Sequence, residues 1–224
     1  MKKLLVALGI AALSTGAMAQ NILVNGDFED TAISGGMSFE YPGSTVITNW
    51  VIGGPNNVDL IRDGWAAQSG YQSIDLNGWG ASSIGQSVSL LAGTTYNVSF
   101  WVAGNTETRW YSTSAIKSMN VFIGTDLLAG NVTFDTTGKS ATDMGWEKRE
   151  YSFVASSTQN YFLNFVSNMG SPMGMALDNV SVTAVTNNPT YNAVPEPSEW
   201  AAMGLLGAGL LGLVVRGRKK ILTN

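Results

Sequence analysis

The side chains available for chemistry in this sequence are carboxylates and aromatics, because it contains neither histidine nor cysteine. Without histidine there is no ordinary general base near neutral pH, no Ser/His nucleophilic pair and no usual zinc ligand. Three acids, Asp59, Asp63 and Asp75, lie close together in the chain. Converging in space, they would offer the acid/base pair of a glycosidase. Acids at strand ends and turns are more often solvated or bonded to backbone amides, so catalysis is the minor reading. Two further acids stand far apart, Glu29 in NGDFE (25–29) and Asp178 in ALDNVSV (176–182). Alternation places Asp178 on one face with Val180 and Val182, an inward row, and a buried carboxylate needs a cation, hydrogen-bond donors or a place at the rim. If the first and last strands pair, Glu29 approaches Asp178, and two carboxylates with loop carbonyls form an oxygen-rich site suited to calcium. The alternative is two exposed turn acids that accept backbone amides.

Sugar recognition uses aromatic faces against the rings and polar groups for the hydroxyls. Trp79 stands beside Asn77 in the glycine-rich stretch NGWGAS, and Trp110 and Tyr111 follow Arg109 in the polar stretch NTETRWYSTS. These five residues are the candidate carbohydrate platform. The competing reading is that the aromatics cap a core, as aromatics more often do. Trp50, Trp65 and Trp146 read as core or edge packing, and Trp101 lies on the strand face opposite Tyr96 and Phe100.

The elements that must position these residues are strands. Charged residues are 12% of the chain and glycine numbers 26, a composition of short strands and tight turns. In TTYNVSFWVAG (94–104), Tyr96, Val98, Phe100 and Val102 take one face and Thr95, Asn97 and Ser99 the other. Further strands are expected at 22–24, 58–61, 72–76, 84–90, 119–123, 132–134, 147–154, 161–166 and 177–185, separated by turn signals such as Asn77-Gly78 and Thr137-Gly138. About ten short strands and no helical stripe predict an all-β, jelly-roll β-sandwich over residues 20–185. The region 20–194 holds 14 acids and 6 bases, a net charge of −8, which argues against nucleic acid as a partner.

Both ends of the chain read as addresses. Lys2 and Lys3, an apolar run and Ala17-Met18-Ala19 form a signal peptide over residues 1–19, handing the chain to the Sec export machinery. A polar stalk is expected at 186–193. Then come Val194, Pro195, Glu196, Pro197 and Ser198, an uncharged run at 200–215, and the basic cluster Arg216, Arg218, Lys219 and Lys220. As a single hydrophobic helix that run spans about 24 Å, short of the roughly 30 Å bilayer core, so it makes a transient membrane anchor whose basic end stays cytoplasmic. This arrangement over 194–220 resembles the PEP-CTERM sorting signal, which implies processing by an exosortase and delivery to the cell surface or extracellular matrix of a bacterium. Glu199 departs from the family pattern, in which a small hydroxyl residue follows Ser198.

The stretches NGDFE, VDLI (58–61), Trp65, SGYQSIDLNG (69–78), IGQSV (84–88), AGTTYNVSFWVAGN (92–105), FDTTGKSATDMGW (134–146) and ALDNVSV resemble the choice-of-anchor C proteins, related to the DUF642 group. That resemblance implies a galactose-binding-like jelly roll similar to carbohydrate-binding modules. It also implies that Glu29 and Asp178 hold a structural calcium. The expectation is an exported, non-catalytic surface or matrix protein that binds polysaccharide. The alternatives are a structural matrix protein without a sugar ligand and a carboxylate-based glycoside hydrolase.

Overall fold

A computed structural model of the chain describes residues 20–107 and 113–185. Eleven strands occur among them: β1 (Met37–Glu40), β2 (Val51–Gly53), β3 (Val58–Ile61), β4 (Ser73–Asp75), β5 (Ser83–Leu90), β6 (Thr95–Gly104), β7 (Ile116–Ile123), β8 (Asp126–Asp135), β9 (Glu147–Val154), β10 (Gln159–Ser167) and β11 (Met175–Ala184). They form a six-stranded sheet in the order β1-β3-β4-β11-β6-β9 and a five-stranded sheet in the order β2-β5-β10-β7-β8. Every pairing between them is antiparallel. The expected all-β jelly-roll sandwich is the fold observed. The signal-peptide region 1–19 and residues 186–224, with every residue of the sorting signal and its apolar run, lie outside the described residues, as do Arg109, Trp110 and Tyr111.

Alternation builds the core as the sequence predicts. Tyr96, Val98, Phe100 and Val102 point inward from β6, where they meet Met119, Val121, Leu163 and Phe165 of the other sheet in one apolar cluster. Phe100 and Phe165 meet edge to face across the two sheets at 5.1 Å, and Trp50 packs between Phe28 and Phe165. Such pairs add about 1 kcal/mol each beyond the area they bury.

Three local expectations are corrected. Residues 22–24 do not form a strand; the segment lies along β11 through Ile22 N–H to Val182 O (2.9 Å) and Val180 N–H to Gly26 O (2.8 Å). β1 and β2 were not legible as strands, because β1 is an exposed edge strand and β2 spans 3 residues, too few to show a period. The third concerns Asp178. Register slips between Asp178 and Ser181, where Asn179 adopts a left-handed φ of 47° as the extra residue of a bulge. Leu177, Val180 and Val182 therefore face the core, while Asp178 pairs with Trp101 on the outer face of the six-stranded sheet. Asp178 is nevertheless fully buried, because the β3–β4 connection, residues 62–72, folds over that face.

The closure between the first segment and β11 depends on close backbone approach. A Cβ on Gly26 would stand 2.0 Å from the carbonyl oxygen of Val180, with backbone rather than a flexible side chain in its way. Gly26→Ala should therefore lower stability by about 2–3 kcal/mol, read as a fall in the urea midpoint at unchanged m-value.

Candidate functional site

A groove of about 810 Å³ opens on the outer face of the six-stranded sheet. Met37 and Phe39 of β1 and Asp59 and Ile61 of β3 line it from the sheet. Loops supply the rest: Trp65 from the β3–β4 connection, Trp79 from β4–β5, Asn105 and Glu107 from β6–β7, Lys139 from β8–β9 and Met173 from β10–β11. Trp79 is 56% exposed and Phe39 49%, and their rings lie 6.1 Å apart, tilted by 32°. An exposed, mutually supported aromatic pair of this kind is a rigid apolar platform in contact with solvent.

The platform is tied to the sheet by Asn57, which is fully buried. Its Nδ2 donates to Asp59 Oδ1 (2.5 Å), its Oδ1 accepts from the Trp79 N–H (3.0 Å), and its carbonyl accepts from the Gly78 N–H (2.9 Å). Position 78 has to be glycine, since a Cβ there would sit 1.9 Å from Asn57 Nδ2. One amide side chain thus sets the distance between the aromatic platform and the Asp59 carboxyl.

Asp75, the cross-strand partner of Asp59, is buried and holds three loops. Its Oδ1 accepts from the N–H groups of Asn77 (2.9 Å) and Gly174 (3.0 Å), and its Oδ2 accepts from Asn105 Nδ2 (2.7 Å). Burial pushes its carboxyl up to about 6, held back by those hydrogen bonds and by the charge of Lys117. Lys117, buried on β7, donates through Nζ to Thr113 Oγ1 (3.0 Å), and burial pulls its amine below the ordinary lysine value. Burial, with the charges of Asp75 and Glu40 beside it, pushes Asp59 up to about 8. Glu40 is itself buried and accepts from the hydroxyls of Ser38 and Ser44.

Trp79 stands in the groove, as the carbohydrate reading requires, whereas Asn77 is not one of its lining residues. It is buried, and its Nδ2 donates to the carbonyls of Met169 (2.9 Å) and Ser171 (2.8 Å), so it shapes the groove from behind. Of the acids grouped in the sequence, Asp59 and Asp75 are brought side by side and Asp63 is exposed in the connection after β3. Trp50 is core, but Trp65 lines the groove and donates from Nε1 to Ser73 Oγ (2.8 Å). Sequence reasoning missed Phe39, Asn57, Glu40 and Lys117, none of which sits in a pattern that sets it apart. Asn105 had one signal, its place at the end of AGTTYNVSFWVAGN.

Glu29 and Asp178 meet at the base of the β3–β4 connection. Glu29 Oε1 accepts from the N–H groups of Tyr71 and Gln72, both 2.6 Å. Asp178 Oδ2 accepts from Gln68 (3.0 Å) and Ser69 (3.3 Å), and its Oδ1 accepts from Asn179 (2.7 Å). Burial raises Asp178 to about 7 against those hydrogen bonds, and the Glu29 charge adds to the rise. A cation at this place would find two carboxylates, and no third acidic side chain joins them among the described residues. Any further oxygens would come from amide and backbone carbonyls or solvent.

Asp59, Asp75 and Asp178 all keep their protons to higher pH in the fold than the ordinary value of 3.8. A folded state that binds protons more tightly than the unfolded one is stabilised by acid; this contribution is complete below about pH 4 and is lost as pH rises through 6, 7 and 8. The urea midpoint should therefore fall between pH 5 and pH 9, and Asp59→Asn should flatten the upper part of that fall. Asp75→Ala, which strands three buried N–H donors, should cost about 3 kcal/mol or more in the same measurement.

Residues 21–183 match the family described as "Protein of unknown function (DUF642)", and residues 193–219 match the PEP-CTERM protein-sorting motif. The latter marks a secreted, cell-surface-associated protein processed by an exosortase. Halomucin of Haloquadratum walsbyi is 28% identical over 197 residues, covering 85% of this chain and 2% of halomucin, so the chain spans a small fraction of that relative. Among solved structures, a family 35 carbohydrate binding module from Clostridium thermocellum aligns with TM-score 0.43 and 14% identity over 65% of this chain and 96% of its own. The tandem CBM22-1-CBM22-2 domain of Paenibacillus barcinonensis Xyn10C aligns with TM-score 0.49 and 15% identity, over 81% of this chain and 49% of its own. At these values the likeness transfers no residue roles. The DUF642 match spans the sandwich from the first segment almost to the end of β11, and the chain belongs to that family.

Proposed function

We propose that the groove binds polysaccharide, and that the chain acts as a non-catalytic surface or matrix protein after its sorting signal has been processed. The observation that carries this reading is the exposed Trp79–Phe39 pair lying beside the polar groups of Asp59 and Asn105 in one open groove. Aromatic faces take the apolar faces of sugar rings, and fixed polar groups take the hydroxyls. Arg109, Trp110 and Tyr111 belong to the same connection as Asn105 and Glu107 and are proposed to complete the contact from the loop side. Catalysis is disfavoured because Asp75 is enclosed by its three donors, which leaves Asp59 without a reachable carboxylate partner from β4.

Geometry also supports display. Strand β11 has 10 residues and spans about 33 Å, from the groove end at Met175 to Ala184, where the chain leaves the sandwich. A chain held by its C-terminal side presents the groove at the far end of the domain.

A second proposal concerns calcium. The Glu29–Asp178 pair is the place for it, clamping the β3–β4 connection and through it Trp65. An ion bound only to the folded state raises the melting temperature. Chelator should lower the melting temperature of the wild type and leave that of Asp178→Asn unchanged; an unchanged wild type would overturn the ion. In a screen of soluble glycans, Trp79→Ala should weaken binding at least tenfold at unchanged melting temperature. No binding to any glycan would instead favour a structural matrix protein.

A further inference from the structure

Asp59 of β3 lines the groove, Asp75 of β4 is its cross-strand partner behind it, and Glu40 of β1, which pairs with core-facing Val58, bears on Asp59 from the other face of the sheet through its charge. No lysine or arginine forms an ion pair with any of them among the described residues. Asp59 and Asp75 face each other across an antiparallel pair, where Cβ atoms lie about 5 Å apart. Two carboxylates so placed, and so little exposed, cannot both ionise cheaply. Their partners decide which one keeps the proton. Asp75 accepts three N–H groups over its two oxygens and feels the charge of Lys117, which suits the ionised member. Asp59 accepts a single hydrogen bond, on Oδ1 from Asn57, and it is the member that lines the groove.

We propose that Asp59 is the specificity-determining residue of the groove, a neutral carboxyl that donates a hydrogen bond to uncharged glycans and whose surroundings reject polyanionic ones. This rests on the polysaccharide reading. A carboxylic acid in a low-dielectric site donates strongly, and Asn57 holds it at a set distance from the Trp79 platform. Among the described residues the other charged groups at the groove are Glu107 and Lys139, with Asp75 and Glu40 behind Asp59 and Lys117 beyond Asp75, and Arg109 belongs to the connection proposed above to complete the contact. Against the local cations Lys139 and Arg109, it is the net charge of −8 over the region 20–194 that opposes a polyuronate or a sulfated chain. Burial and the neighbouring acids place the ionisation of Asp59 at about 8, so the donor is present at neutral pH and lost in mild alkali.

The test is calorimetric titration of the exported protein with uncharged soluble glycans (β-glucan, xylan, galactan and mannan) and with polygalacturonate, at pH 6 and pH 9. The expected result is binding to an uncharged glycan at pH 6 that weakens about tenfold or more at pH 9, a loss of at least about 1.4 kcal/mol, and no binding to polygalacturonate. Asp59→Asn removes the titrating group, so the binding it retains should be equal at pH 6 and pH 9 within about threefold. Wild-type binding that is equal at the two pH values, a preference for polygalacturonate, or a fall at pH 9 that persists in Asp59→Asn with an intact melting transition would each overturn the assignment while leaving the groove a glycan site. Absence of binding to any glycan at either pH would overturn the polysaccharide reading itself and this assignment with it.

Discussion

The groove depends on one buried carboxylate. Asp75 sits at the end of a strand of 3 residues, where the β4–β5, β6–β7 and β10–β11 connections all turn, and each sends it an N–H donor. Loops do not ordinarily hold fixed relations to one another, since each pays conformational entropy for its own order. Here three of them share an acceptor that is buried in a medium where an unmade hydrogen bond is expensive. The walls carrying Trp79, Asn105 and Met173 are consequently tied to one point on the sheet beneath them, which is what a preformed recognition surface requires.

A second carboxylate does the same work lower on that face. The bulge at Asn179 turns Asp178 away from the core, and Asp178 with Glu29 gathers four backbone N–H groups from residues 68, 69, 71 and 72. The connection so pinned carries Trp65 to the groove and meets the β8–β9 loop through Ala66 N–H to Ala141 O (2.8 Å). Both acids are therefore bonded to amides, as the alternative of turn acids required, although neither is exposed as it supposed and Asp178 is fully buried in β11. They are also close to each other, which is what the other alternative required.

Acidity near Asp59 follows from the same economy. Burying Asp75 to organise loops places a negative group beside its cross-strand neighbour, and the cheapest response of that neighbour is to hold its proton. A structural solution on β4 thereby sets the chemistry displayed on β3. Trp79 and Asp59 are 20 positions apart, yet Asn57 links them through two hydrogen bonds of one side chain.

The all-β class, the core face of β6, the exact span 58–61 of β3 and the sorting tail were legible in the sequence, because each rests on local period or composition. Strand β1 was not, since an exposed edge strand has no inward row to reveal it, and neither was the outward turn of Asp178, since one residue in a left-handed conformation reverses the alternation that follows. Trp79 could be picked out from its glycine-rich setting, but Asn77 beside it looked equally available and is buried under a turn from residues 169–171. The sequence by itself determined the inventory: no histidine, no cysteine, an acidic strand-forming chain with an export address at its end. Only the tertiary structure decided which acids stand together, which one is sealed behind three donors and which one faces the groove, because those facts depend on strand order and on a bulge, and neither is encoded in any local stretch.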